Sequence, residues 1–133
     1  MQHSSTPAET TVLEVPPLPR YARVVRMTAA NLAVIAGMNV DEVDDVRMAA
    51  EEAFVYACAT GVDGLLHAVF TISDDGLAMD FDLGDQPVTE DNDEPAFVYS
   101  AFILEAMCDE CVIADAPENS LHLFKKIGGT DAR

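Results

Sequence analysis

Residues 41–83, DEVDDVRMAAEEAFVYACATGVDGLLHAVFTISDDGLAMDFDL, contain the change of rhythm that decides the fold. In the first half, Val43, Val46, Ala49, Ala50, Ala53, Phe54 and Ala57 recur at helical spacing. Asp41 is placed as N-cap, with Glu42, Asp44 and Asp45 in the first turn, where the helix dipole favours negative charge. The helix is expected to run to about Thr60 and stop at Gly61. From Leu65 the period becomes two: Leu65–Ser73 reads as a strand, Ser73–Gly76 as a hairpin turn and Leu77–Leu83 as its partner.

Working outward, Thr10–Val15 alternates as a short strand, ended by Pro16, Pro17 and Pro19. Tyr21, Val24, Val25, Thr28, Leu32 and Ile35 then mark a first helix stopping at Gly37. On the C-terminal side, the acidic segment 84–95 separates the hairpin from a third helix, Ala96–Met107. Val98, Phe102, Ile103 and Ala106 of that helix are expected to face the core. Cys111–Ala114 and Leu121–Ile127 form a last hairpin around Pro117–Ser120. The order β-α-α-β-β-α-β-β implies an α/β (α+β) two-layer sandwich, with helices on one face of a mixed or antiparallel sheet. Residues 1–9 and 129–133 read as tails around a single domain, 10–128. At 133 residues and half apolar, the chain can fill one core but not two.

The charge is −17 and unevenly placed: residues 48–124 hold 17 acidic side chains and no Lys or Arg. Such a surface repels nucleic-acid phosphates and anionic membranes. With no transmembrane run, no signal peptide visible at the N-terminus and three cysteines, the expectation is a cytoplasmic chain with free thiols.

The stretch 18–61 carries Pro19, Tyr21-Ala22-Arg23-Val24 and Glu52-Ala53-Phe54-Val55-Tyr56, followed by Asp82-x-Gly84 and Asp109-Glu110. In this order and spacing it resembles the bacterial anti-sigma factor serine kinases of the sporulation and stress-response type, over roughly residues 11–127. That resemblance implies a histidine-kinase-like ATPase fold, shared with gyrase. It also implies a general-base role for Glu52, an adenine-side turn at Asp82 and Gly84, and a protein-contacting arginine in the first helix, matched by Arg23. Arg20 and Arg26 extend the same stripe. The partner implied is a sigma factor or a STAS-type antagonist; family members commonly dimerise, so a homodimer is a further expectation.

Departures from the family pattern are specific. Tyr56 stands where the family has its magnesium-binding Asn, and a neutral phenol is a poor ligand for a hard cation. Gln86 replaces the second glycine of the adenine-side motif. Val98-Tyr99-Ser100-Ala101 stands where a glycine-rich element would admit phosphate, and the lid carries Asp85, Glu90, Asp91, Asp93 and Glu94 without a cation. The expectation is therefore a regulator acting by protein contact, with a degenerate site that binds ATP weakly or not at all and needs no cofactor. The alternatives are an active kinase using ATP with magnesium, and a structural or dimerisation domain.

Plainer readings stand beside these. Glu52 is also explained as a helix-surface carboxylate, Tyr56 as an ordinary half-buried aromatic rather than a plug filling the pocket, and Asp82 with Gly84 as a strand-ending turn. The arginines are also explained as neutralising the acidic second helix. Cys108-Asp109-Glu110-Cys111 is a lone CxxC closing a helix rather than opening one, and Cys58, His67 and His122 are the other candidate zinc ligands. No metal site is expected from so few ligands, and buried thiols are the simpler reading.

Overall fold

A computed structural model describes residues 8–86 and 96–128, with side chains for residues 96–99 left aside. In chain order the elements are β1 (Glu9–Val15), a 3-10 turn (Pro19–Tyr21), α1 (Ala22–Ile35), α2 (Val40–Ala59), β2 (Leu66–Ile72), β3 (Gly76–Asp82), α3 (Ala96–Met107), β4 (Glu110–Ala114) and β5 (Ser120–Lys126). The sheet order is β1-β2-β3-β5-β4, and every pairing is antiparallel. With the three described helices on one face, the domain is a two-layer α+β structure. Strand ends fall within a residue of those read from the pattern; Glu9, assigned to the tail, opens β1. The expectations for residues 1–7, 87–95 and 129–133, including Glu90, Asp91, Asp93 and Glu94, lie outside the described residues.

Alternation places the core. Leu66, Ala68 and Phe70 of β2, Leu77, Met79 and Phe81 of β3, and Leu121 and Leu123 of β5 turn to the helices and are buried. Phe70 and Phe81 meet edge to face at 6.4 Å between ring centroids. From α2 come Val46, Ala49, Ala50, Ala53, Phe54 and Ala57, matching the face read from sequence. Its cap differs: Asn39, not Asp41, is the N-cap. The Asn39 side chain accepts from the Glu42 amide at 2.8 Å while the Glu42 carboxylate accepts from the Asn39 amide at 2.9 Å. This reciprocal pair satisfies two amides at once, which Asp41, two residues later and already inside the helix, does not do.

The first helix buries only part of the row read from sequence, Val25 fully with Tyr21 and Leu32 against the core, and the third presents another face than expected. In α1 the buried residues are Ala22, Val25, Ala29 and Ala33, whereas Val24 and Ile35 are exposed. The reason is the neighbour: α2 packs closely along α1, and a tight helix pair selects small side chains at the seam. Val24 and Ile35 are left exposed on the flank away from α2. In α3, Ser100 and Leu104 are buried, while Phe102 and Ala106 are exposed. That helix is apolar nearly all round, so its sequence holds no period to orient it.

Candidate functional site

α2 is the axis of the candidate site because it sends side chains to both flanks. Toward α1, Glu51 accepts from Arg26 at 3.1 Å. Toward α3, Glu52 accepts from the buried Ser100 hydroxyl at 2.5 Å. Tyr56, one turn further on, lines a cavity of about 270 Å³ with Thr60, Asp85, Gln86, Ile113, Asp115 and Asn119 among its walls. Burial, then the Asp115 carboxylate, then Cys111, hold the Tyr56 phenol above its ordinary range. At neutral pH it is an uncharged phenol. Tyr56 therefore borders the hollow.

Gly84 is where the end of β3 meets the end of α2. A Cβ there would stand 2.2 Å from the Thr60 carbonyl oxygen, so glycine is needed for the close approach. The contact is tied on several sides. The Gly84 amide donates to Thr60 Oγ1 at 2.7 Å, the Gln86 amide donates to the Thr60 carbonyl at 3.0 Å, and the Leu83 amide donates to the Asn119 carbonyl at 2.8 Å. Thr60 Oγ1 in turn donates to the Ala57 carbonyl at 2.6 Å. On the other side of this turn a second hollow, about 380 Å³, is lined by Asp63, His67, Asp82, Gly84, Asp85 and Asn119 among others. Asp82 opens onto this hollow and Tyr56 onto the first; Gly84 and Asp85 border both. No Lys or Arg is among the described residues that line either one.

Among the described residues of the two hollows, few groups suit a magnesium nucleotide. A triphosphate needs cations or free amides, and three amides of the turn are already spent on Thr60 and Asn119. The phenol offers a hard cation an uncharged oxygen. Glu52, the residue matched to a general base, is half-buried and accepts from the Ser100 hydroxyl.

The arginine stripe divides. Arg26 is committed to Glu51, and the Arg20 guanidinium lies 5.5 Å from the Tyr21 ring centroid. Arg23 is exposed and makes no hydrogen bond or ion pair with the described residues. Because Arg26 meets Glu51 and only four residues join the two helices, α1 and α2 are antiparallel neighbours. Arg23 and Met27 thus share an outer surface with Met48 and Val55, all three apolar side chains being exposed.

Sequence alone did not reveal the Glu52–Ser100 bond, whose partners lie 48 positions apart, nor the part of Asp115 beside Tyr56. The cysteine and histidine candidates separate. Cys111 pairs in register with Leu123 on the helix side of the sheet, whereas His122 lies on the open side, with Nδ1 2.6 Å from Asp80 and Nε2 3.5 Å from Glu110. His67 sits on that open side against Glu14 at 3.2 Å. Among the described residues no three His, Cys, Asp or Glu side chains are grouped to hold a metal ion. Burial pushes the Cys108 thiol up to about 12 and the Cys58 thiol up to about 11, and raises Cys111 as well, so none is an activated nucleophile.

The fold and site together define a two-layer α+β protein with an acidic double hollow at the end of α2. No family model and no curated protein matches the chain. Among the described residues no helix is long and apolar enough to cross a membrane.

Proposed function

We propose that this chain is an anti-sigma-factor-like regulator of transcription acting by protein–protein contact, built on a histidine-kinase-like ATPase scaffold whose nucleotide site has degenerated. The observation that carries the reading is the hollow beside Tyr56. It is bordered by carboxylates, its turn amides are spent, and its tyrosine is an uncharged phenol at the position matched to a magnesium-binding Asn. Support for the scaffold comes from the element order and from Glu52, Tyr56 and Gly84 falling along the same end of one helix and one turn. With catalysis set aside, Arg23 is the handle for an acidic partner of the sigma-factor or STAS kind. Interfaces favour arginine among apolar neighbours, here Met27, Met48 and Val55.

Thermal melting with 1 mM Mg-ATP tests the nucleotide half. A site with a dissociation constant near 10 μM would add about 2.7 kcal/mol, a rise of several degrees; the expected shift is under about 1 °C. A larger one would return the chain to the active-kinase reading. The partner half is tested by titrating purified sigma factors and STAS proteins of the source cell against wild type and Arg23→Glu. Loss of at least tenfold in affinity is expected, and equal binding by both would remove Arg23 from the interface.

A further inference from the structure

The helices cover one face of the sheet; the other carries both described histidines. Alternation puts His67 of β2, Asp80 of β3, His122 of β5 and Glu110 of β4 on this open face, opposite in parity to the buried Met79, Phe81, Leu121 and Leu123. Asp80 is the direct cross-strand partner of His122, and Glu110 stands diagonally across the β4–β5 ladder, two residues from the paired Val112. The imidazole thus lies between two carboxylates: Nδ1 is 2.6 Å from Asp80 Oδ1, and Nε2 is 3.5 Å from Glu110 Oε1. The two contacts differ in kind. A carboxylate only accepts, so the short contact fixes the ring proton on Nδ1. In the neutral ring Nε2 then keeps its lone pair, with a carboxylate oxygen beside it. Two acceptors stand together at a distance too long for a hydrogen bond, an arrangement that a cation between them would satisfy. His67 is the internal contrast. Its Nε2 is 3.2 Å from Glu14 Oε2, and among the described residues no carboxylate stands at its Nδ1, so its proton can sit on Nε2 and face Glu14.

We infer that His122 Nε2 and Glu110 form a binding site for a borderline divalent transition cation, Zn2+ foremost, with Asp80 as the positioning residue behind the ring. The spacing fits. With bonds of about 2.1 Å, two tetrahedral ligands of zinc lie about 3.4 Å apart, against the 3.5 Å found here. A carboxylate on the far nitrogen is the arrangement that fixes the tautomer of zinc-bound histidines and raises their basicity. An imidazole with a carboxylate suits zinc, cobalt and nickel, whereas magnesium and calcium take shells of oxygen ligands. This is a pair, not one of the three-residue clusters that are absent among the described residues, and the remaining coordination positions go to water. The site is therefore open and of modest affinity. It joins the edge strand β4 to β5, and with His122 36% and Glu110 60% exposed an ion enters directly from solvent. Among the described residues Glu110 has no hydrogen bond and no ion-pair partner other than His122, so its carboxylate is not withdrawn from this role.

Nitrogen-15 NMR of the imidazoles of the full chain tests this, with ZnCl2 added above pH 7, where an ordinary imidazole is neutral. Millimolar Mg2+ is present throughout to occupy loose sites on the acidic surface. Wild type is expected to show His122 as the Nδ1–H tautomer. Its Nε2 resonance should move saturably with zinc, at a concentration at least tenfold below that which moves His67. Glu110→Gln should weaken binding at His122 at least tenfold. Asp80→Asn should weaken it about tenfold and shift the ring toward the Nε2–H tautomer, a change that loss of packing alone would not produce. These side chains are all partly exposed, and circular-dichroism melts check that the variants fold. A His122 Nε2 resonance that zinc in large excess leaves in place overturns the proposal, and zinc captured by the cysteines instead gives that result. A resonance that Mg2+ alone moves equally also overturns it, since the binding is then that of the acidic surface only. So does Glu110→Gln with unchanged zinc affinity. The Tyr56 hollow and Arg23 belong to the helix side of the sheet, and none of these outcomes bears on them.

Discussion

Glu51 and Glu52 are neighbours in sequence and belong to two different proteins in effect. Glu51 leans toward α1 and meets Arg26 at a solvent-exposed seam; Glu52 leans toward α3 and meets the buried Ser100 hydroxyl. One flank of α2 is basic, apolar and outward, with Arg23, Met27, Met48 and Val55. The other is acidic and hollow, with Tyr56, Asp85 and Asp115. The difference teaches where each kind of chemistry sits. A 100° step along a helix is enough to separate a surface that can dock a protein from a cavity that repels phosphate.

The largest expected effect breaks the hollow flank at its floor. Gly84→Ala places a methyl group 2.2 Å from the Thr60 carbonyl oxygen and 2.5 Å from Gly61 backbone atoms, neither of which can move without unseating α2. A loss of about 3 kcal/mol, read as a fall in melting temperature of about 10 °C, is expected. Gly37→Ala is the control: φ is +95° but no atom lies within 4 Å, so only backbone strain of about 1 kcal/mol remains. Equal losses in the two variants would show that the close approach at Gly84 contributes nothing.

Next comes the carboxylate pair itself. Glu52→Ala leaves the buried Ser100 hydroxyl without its acceptor and should cost about 1–3 kcal/mol by urea denaturation. Glu51→Ala removes an ion pair whose partners are 28% and 43% exposed and should cost under about 1 kcal/mol. The reverse order would mean that the α1 seam, not the α3 contact, carries the stability of α2.

A further comparison is read in alkaline solution. Burial raises the Cys108 thiol to about 12 from an ordinary 9. Above pH 9 the unfolded chain therefore loses this proton before the folded chain does, so stability falls as pH rises from 9 toward 12 and is fully present below 9. Cys108→Ala should flatten that part of the stability–pH curve, and alkylation of Cys108 at pH 8 should run at least tenfold slower than that of an unperturbed thiol. Alkylation at the ordinary rate would place the sulfur at the surface.

Elements were legible where a period existed. The β2–β3 hairpin and the buried face of α2 follow from alternation and from Val46 to Ala57 at helical spacing, signals contained within twenty residues. The faces of α1 and α3 were not. For α1 only part of the apolar row packs, Val25, Tyr21 and Leu32 but not Val24 and Ile35, because the demand for small residues comes from α2 and is invisible in α1 itself. For α3 an all-apolar helix gives no preferred direction. At the site, Glu52, Tyr56, Asp82 and Gly84 could be singled out from sequence, yet not sorted. Only the fold shows Gly84 pressed against Thr60, Glu52 bonded to Ser100, and Asp82 opening on a different hollow from Tyr56.

By itself the sequence determined the order of elements and the concentration of 17 carboxylates between residues 48 and 124. These are local properties, set by side-chain period and composition. The tertiary structure decided, among the described residues, which carboxylate meets a hydroxyl, which arginine of α1 stays unengaged and which amides are spent. Those outcomes depend on contacts between residues tens of positions apart, and a hydrogen bond of 2.5 Å between α2 and α3 leaves no trace in the local pattern of either helix.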